Sequence, residues 1–250
     1  RRSPLDAYAA NAPQWETILD IDALARAENA NWVYQGADCD PSGVRCMIAL
    51  SNGGLDANTR REFDVETRRF VEGGFVVPEA KSRIGWLGRD TLLVATDWGA
   101  GSLTESGYPF VLRAWRRGTP LSSATEIMRG EASDVSIAVQ TLEDESGDHI
   151  AIAVESETFF ESVYSLITLE GPQRITLPRR ASIRRYFQDR LIVTLEEAWS
   201  IGGREYAAGT LLAMPLATAT LPNPLIEVIF APTSRQSIEG VTSTSEALLV

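Results

Sequence analysis

Histidine is almost missing from these 250 residues: there is one, His149, alongside two cysteines and three methionines. A zinc site with its usual Cys and His ligands is hard to assemble from that stock, so no structural metal and no other cofactor is expected. A general base near neutral pH has a single imidazole candidate. His149 follows Gly147-Asp148 at a strand entrance, and no motif sets a nucleophilic serine or cysteine beside it, so it reads as a turn or strand-edge residue. Also missing is G-x-S-x-G, which would hold a serine on a strained strand-to-helix turn beside an oxyanion hole. The nearest approach, Gly99-Ala100-Gly101-Ser102-Leu103, has the wrong spacing and no helical pattern after it, and reads as a connecting loop. Neither of the glycine-rich phosphate loops occurs. Residues for peptide-bond cleavage are therefore not expected in this stretch.

Positive charge is scarce as well. With 23 basic against 34 acidic residues the formal charge is -11. Such a surface repels nucleic acid and anionic membranes, and neither is expected as a partner. No apolar run reaches the roughly 18 residues of a membrane-spanning helix. The opening Arg1-Arg2-Ser3-Pro4-Leu5-Asp6 is followed by no apolar segment of the kind that marks a secretory signal, so the compartment, cytoplasm or periplasm, stays open. The chain starts without Met, as an excised piece would.

Cys39 and Cys46 flank a Pro/Gly turn, Asp40-Pro41-Ser42-Gly43-Val44-Arg45, that could set them opposite each other in a hairpin. A disulfide is geometrically allowed. Two buried free thiols are the expectation, since free cysteine is among the most buried residue types. The acidic run Glu143-Asp144-Glu145-Ser146-Gly147-Asp148 lacks the ligand spacing and terminal Glu of a calcium loop and reads as a solvated hairpin turn.

What is present is a repeat. Four segments share a short polar opening around an isoleucine: Arg83-Ile84-Gly85-Trp86, Ser136-Ile137-Ala138-Val139, Ser182-Ile183-Arg184-Arg185-Tyr186 and Ser237-Ile238-Glu239-Gly240-Val241, with steps of 53, 46 and 55 residues between the isoleucines. A period of that size signals propeller blades, whose faces are buried only by their neighbours. After each opening comes a strongly apolar run behind an acidic turn: Thr91-Leu92-Leu93-Val94-Ala95, Ile150-Ala151-Ile152-Ala153-Val154, Leu191-Ile192-Val193-Thr194 and, in the fourth, Glu246-Ala247-Leu248-Leu249-Val250. Short apolar runs bounded by turn residues fit strands buried on both faces. Third strands are expected at Phe110–Trp115, Ser162–Ile167 and Thr210–Met214, and shorter, wetter fourth strands at Glu126–Met128, Gln173–Leu177 and Leu225–Phe230. A looser unit runs from Trp32 to about Phe75. The single expected helix is Asp22–Glu28, with Asp22 as N-cap and Asn29 near its stop, and Trp15–Asp20 reads as a strand end of an incomplete preceding blade.

The fold class is therefore all-β: a partial β-propeller of about four four-stranded antiparallel blades plus fragments of neighbouring blades. The divisions are 1–29 as a lead-in with a partial blade and short helix, 30–80, 81–132, 133–181 and 182–233 as blades, and 234–250 as the start of another. A β-sandwich also has short strands and turns, but the four-strand period speaks against it. Of the six tryptophans, Trp32, Trp86 and Trp115 sit in expected strands and should fill the wedges between blades, while Trp98 and Trp199 follow strand ends and are the surface candidates. Because the opening strand of a blade lines the central tunnel, Arg184 or Arg185 could meet a peptide carboxylate there. Arg204 is kept with them, and pairing of these arginines with nearby acids is the plainer reading.

The stretches Trp15-Glu16-Thr17-Ile18-Leu19-Asp20-Ile21-Asp22-Ala23-Leu24, Arg61-Glu62-Phe63-Asp64 with Phe70-Val71-Glu72-Gly73-Gly74-Phe75, and Thr104-Glu105-Ser106-Gly107-Tyr108-Pro109 give the chain a resemblance to the N-terminal propeller of the prolyl oligopeptidase-like serine peptidases, in a bacterial branch. The resemblance implies a seven-bladed propeller over an α/β-hydrolase domain of the same parent chain, which carries the catalytic residues and is the expected partner. It implies short peptides as substrates that the propeller admits while folded proteins stay out. The alternative is a free-standing propeller scaffold that binds proteins or peptides. An open run of blades leaves edges and faces unpaired, and self-association is expected of it.

Overall fold

The computed structural model describes residues 1–144, 146–168, 170–244 and 246–250, and it divides into two units, Arg1–Ser82 and Arg83–Val250. In the first unit, helix α1 (Leu5–Ala9) and helix α2 (Ile21–Glu28) precede the strands β1 (Trp32–Cys39), β2 (Arg45–Asn52), β3 (Asn58–Asp64), β4 (Arg69–Phe70) and β5 (Val76–Ala80). They form one antiparallel sheet ordered β1-β2-β3-β4, with β5 also pairing with β3. Two expectations are corrected. Helix α2 is capped by Asp20, whose Oδ1 accepts from the Ala23 N–H at 2.8 Å, rather than by Asp22, while Asn29 ends it in the left-handed conformation at φ 49°. Starting there places Ile21 and Leu24 on one helical face, packed with Ile18 and Leu19 against Cys46, Ile48, Leu50 and Phe63 of the sheet. Trp15–Asp20 consequently runs into the helix cap and contributes only an isolated bridge between Glu16 and Arg2, and α1 is a second, unexpected helix.

The cysteines also depart from expectation. Register sets Cys39 directly opposite Cys46, and they form a disulfide. The turn between them holds itself in place: Asp40 N–H donates to the Arg45 carbonyl at 2.7 Å, and Asp40 Oδ1 accepts from Ser42 Oγ, Val44 N–H and Arg45 N–H at 2.8–3.2 Å. That Asx-type turn fixes the register that brings the two sulfurs together. The frequency with which free cysteine is buried could not reveal a cross-strand pairing.

The second unit repeats one motif. Strands β6 (Arg83–Trp86), β7 (Thr91–Ala95), β8 (Val111–Arg116) and β9 (Thr125–Arg129) form an antiparallel sheet in chain order. So do β10 (Ser136–Glu143), β11 (His149–Ser156), β12 (Ser162–Thr168) and β13 (Gly171–Arg174). In the third sheet β14 (Ala181–Phe187) and β15 (Arg190–Leu195) are followed by an inserted two-stranded ribbon, β16 (Trp199–Ile201) and β17 (Arg204–Tyr206), before β18 (Leu211–Pro215) and β19 (Glu227–Phe230) complete it. A last ribbon pairs β20 (Thr242–Ser243) with β21 (Leu248–Leu249). The expected opening strand Ser237–Val241 is not a strand: Ile238 and Val241 pack, partly buried, against Phe187, Ile192, Leu211 and Ala213 of the third sheet, and pairing starts only at Thr242. Among the described residues no helix is long and apolar enough to cross a membrane.

The second strand of each sheet is the buried one, because it feeds two cores. Along β11, Ala151 and Ala153 join Leu93, Ala95 and Leu112 of the preceding sheet, while the alternate residues Ile152 and Val154 join Leu191, Val193 and Leu212 of the following one. Side chains alternate across a strand, so one apolar run supplies both wedges. The small residues face one neighbour and the branched ones the other. Between the first strands the approach is closest at Gly85, where an added Cβ would lie 2.4 Å from Val139 Cγ1 and 3.0 Å from Thr141 Oγ1. There the Trp86 N–H donates to Thr141 Oγ1 at 3.0 Å and the same hydroxyl donates to the Trp86 carbonyl at 3.2 Å. Sheets stacked face to face with their first strands together are propeller blades.

Candidate functional site

The ends of the stacked sheets are chemically unlike. At one end are the hairpin turns joining first to second strands, which carry Gly88, Arg89 and Asp90, then Asp144, Ser146 and Asp148, then Gln188 and Asp189, polar residues apart from the glycine. At the other end are the connections joining second to third strands, and these carry aromatics: Trp98 and Tyr108, Phe159 and Phe160, Trp199 and Tyr206. Backbone hydrogen bonds keep the second end in register between sheets: Ile137 N–H reaches the Pro109 carbonyl at 2.8 Å and Ser162 N–H the Arg179 carbonyl at 2.9 Å.

Arg184 is the extra residue of a β-bulge. In the β14–β15 register Ile183 faces Val193 and Arg185 faces Ile192, leaving Arg184 unopposed and exposed. A bulge re-aims the side chains around it. Consequently Arg184 and Arg185, neighbours that a regular strand would send to opposite faces, line one groove of about 380 Å³ with Thr141, Leu142, Glu143, Asp144 and Tyr186. Arg184 Nε donates to Thr194 Oγ1 at 3.1 Å, and Arg185 is held by the Val241 carbonyl and Thr242 Oγ1 at 3.4 and 3.2 Å. Their partners are neutral, so no ion pair with a described acid consumes either charge. In β1 the extra residue of a bulge is Gln35, whose Oε1 accepts from Asn58 Nδ2 at 3.0 Å. Sequence carries no clear signal for either bulge.

The acidic run beside the groove is a closed turn. Asp144 Oδ1 accepts from Ser146 Oγ at 2.6 Å and from the Ser146 and Asp148 N–H groups at 2.8 and 3.2 Å. The Ser146 hydroxyl first, then these backbone donors, hold the Asp144 carboxyl below its ordinary range, against a smaller opposing effect of burial. Glu145 of that run lies outside the described residues. Tyr186 is pushed upward by burial and by its hydrogen bond to Asp189, 2.8 Å away, so it stays a neutral phenol in the groove wall. No group of His, Cys, Asp and Glu suited to holding a metal occurs among the described residues.

The remaining sequence candidates lie apart from this groove. Trp98 is half-buried in the β7–β8 connection, its Nε1 donating to the Val111 carbonyl at 3.1 Å with the Arg113 guanidinium 4.6 Å from its ring centre. Trp199 is a correction: it is 9% exposed and packs within the core between the second and third sheets, 6.1 Å from the Tyr206 ring. It follows a strand end because it starts the inserted ribbon, and its pairing with Tyr206 turns it inward. Arg204 is exposed beside the Gly202-Gly203 turn of that ribbon. Ser102 is used within its own loop, donating to the Gly99 carbonyl at 2.7 Å and accepting from the Trp98 N–H at 2.9 Å. His149 is exposed at the start of β11, opposite Glu143.

Sequence reading missed a carboxyl pair at the aromatic end. Asp134 and Glu155 both crowd Gly130, where an added Cβ would lie 2.6 Å from Asp134 Oδ2 and 2.9 Å from Glu155 Oε1. Burial first, then the neighbouring Asp134 charge and a hydrogen bond with it, raise the Glu155 carboxyl above its ordinary value of 4.5, with Arg174 and Arg179 opposing. A carboxyl whose folded pKa is raised contributes stability that is complete below its unfolded value and lost as pH rises through the folded value. Glu155→Gln, which mimics the protonated form, should therefore be more stable than wild type at neutral pH, with the difference closing as pH falls toward 4.5. Denaturant midpoints of both proteins across that range test this, and a pH-independent difference would contradict it.

Four-stranded antiparallel sheets stacked in series define a propeller module. Residues 1–250 match the family of the prolyl oligopeptidase N-terminal β-propeller domain throughout, and the chain belongs to it. It is 35% identical, over its whole length, to an uncharacterized peptidase, y4nA, of Sinorhizobium fredii, and 24% identical to an uncharacterized peptidase, RP174, of Rickettsia prowazekii. It spans only 36% and 37% of those two proteins. Among solved structures, a post-proline cleaving enzyme from Rickettsia typhi superposes with a TM-score of 0.87 at 22% identity, over 96% of this chain and 37% of that one, which is a likeness of fold. The catalytic domain of such peptidases thus lies outside the propeller stretch.

Proposed function

We propose that the chain is the non-catalytic, substrate-gating propeller of a prolyl oligopeptidase-like serine peptidase, admitting short peptides to an α/β-hydrolase active site carried by the same polypeptide. The match of the whole chain to the propeller family, in relatives nearly three times as long that are called peptidases, carries this reading. The lack of G-x-S-x-G supports it from the opposite side. We assign residues 30–80, 81–132, 133–181 and 182–233 to four blades of a seven-bladed ring, 1–29 to its lead-in and 234–250 to the start of the next blade. Arg184 and Arg185, freed by the bulge and lining one groove, are the residues placed to meet a peptide carboxylate as it passes.

A single set of assays tests the proposal. Full-length protein should hydrolyse short peptides and residues 1–250 should not. Within the full-length protein, Arg184→Ala should lower kcat/KM for peptides with a free C-terminal carboxylate about tenfold relative to their amides, the size expected of one charge-assisted contact. Activity in the isolated propeller would overturn the first part. An unchanged acid-to-amide ratio would overturn the second.

A further inference from the structure

The only two cysteines of these 250 residues are joined by the register of β1 against β2, and their surroundings are unequal. Cys46 is 2% exposed and lies in the core that Ile48, Leu50 and Phe63 form with α2, whereas Cys39 is exposed at the end of β1. β1 is the end strand of its sheet, and six of its eight residues are exposed, against one of eight in β2. A strand with so few buried contacts opens locally before the rest of a domain does. Its far end also carries a charge that β3 depends on. Asp38, the residue before Cys39, forms an ion pair with Arg60, a side chain that reaches the Ser82 carbonyl at 3.3 Å and is 8% exposed. Taking the carboxylate from a buried guanidinium is costly, so fraying at Cys39 would be felt in β3 as well.

We infer that the Cys39–Cys46 bond is a reversible thiol–disulfide exchange site, opened by an external dithiol that attacks Cys39, and that its state sets how firmly β1 and the Asp38–Arg60 pair are held. The attacking thiolate bonds to the Cys39 sulfur and breaks the protein disulfide, leaving Cys46 as a thiolate that takes up a proton. The second thiol of the reagent then attacks the mixed disulfide, the reagent departs as its own disulfide, and Cys39 is released and protonated. Two electrons pass from the dithiol to the protein. The core around Cys46 bars the same attack there. Two features make the step reversible. The turn between the cysteines is tied by the Asp40 carboxylate and backbone and not through sulfur, so it keeps the two thiols facing each other after reduction. With no third cysteine in the stretch, no wrong pairing within it competes. Reduction still loosens β1, because losing a cross-link restores open conformations to the chain. Exposed disulfides are the labile, regulatory kind, closed in an oxidising compartment and open in a reducing one.

The test uses full-length protein prepared without reductant and divided between oxidised and reduced dithiothreitol. Amide exchange read by mass spectrometry should be roughly tenfold faster at residues 33–39 in the reduced form, and faster by a smaller factor at 59–61, with β7, β11 and β15 unchanged. Re-oxidation should restore the slow rates. A second arm uses glutathione, a monothiol that stops at the mixed disulfide, and peptide mapping should find the adduct on Cys39. Cys39→Ser with Cys46→Ser should exchange fast in both buffers; if that variant fails to fold, the wild-type comparison decides alone. Equal exchange in the two buffers would overturn the inference, as would an adduct on Cys46 or two thiols that stay free in oxidised dithiothreitol. Faster exchange spread through β7, β11 and β15 would overturn it too, since the bond would then support the whole chain and not one strand.

Discussion

Trp199→Ala should destabilise the protein by about 3–5 kcal/mol, the loss that accompanies truncation of a buried tryptophan. The side chain is 9% exposed and shares a core with Tyr164 and Ile183 as well as Tyr206, so its removal opens a cavity bordered by residues of two sheets. It also unfastens the inserted ribbon, because Trp199 and Tyr206 form the pair that closes the base of β16 and β17. Trp199→Phe, which refills part of the space, should recover much of the loss, and Arg204→Ala at the exposed tip should stay within about 0.5 kcal/mol of wild type. Denaturant midpoints at constant slope measure all three. A Trp199→Ala protein with near-wild-type stability would return this tryptophan to the surface, where its position after a strand end had suggested it belonged.

Gly85→Ala should cost about 1–3 kcal/mol, as overpacking does when stiff side chains border the added atom. Its Cβ would meet Val139 Cγ1 at 2.4 Å, and Val139 is β-branched with little rotameric freedom to retreat. The neighbouring clamp between the Trp86 backbone and Thr141 Oγ1 prevents the two first strands from simply moving apart. Val139→Ala removes the offending methyl groups. The double variant should consequently be more stable than the sum of the two single effects by about 1 kcal/mol, within the range measured for residues in contact. Additivity within about 0.5 kcal/mol would mean that the two sheets do not meet at this point.

Much of the fold was legible because the stacked arrangement demands an uncommon sequence pattern. Strands β7, β11 and β15 must be apolar on both faces, and their runs stand out as continuous hydrophobic stretches. Where an element depends on what lies against it, the sequence was a poorer guide. Ser237–Val241 has the same opening pattern as three true strands, yet its apolar residues pack on the third sheet without pairing. The ribbon Trp199–Tyr206 did carry a signal, the Gly202-Gly203 dipeptide between short runs, which favours a two-residue hairpin turn. The groove at Arg184 and Arg185 was legible only as residue type. Adjacent residues of a strand should point to opposite faces, and the bulge that brings these two into one groove depends on pairing with β15. The Asp134–Glu155 pair and the Cys39–Cys46 bond each join residues whose meeting is set by loops and register.

The meander order of the sheets carries a consequence in time. Each four-stranded sheet is made from one contiguous stretch of chain, its strands pairing with the strands next to them in sequence, save for the ribbon inserted in the third. Local pairings of this kind close short loops and form quickly compared with distant ones. During synthesis a sheet can therefore assemble as soon as its own fifty or so residues have emerged, on the order of several seconds at ribosomal rates. Its apolar faces then wait for the next sheet to be made. The alternating small and branched residues of β11 are thus a timetable as well as a packing pattern: Ala151 and Ala153 meet a sheet already present, and Ile152 and Val154 stay uncovered until the one that follows arrives.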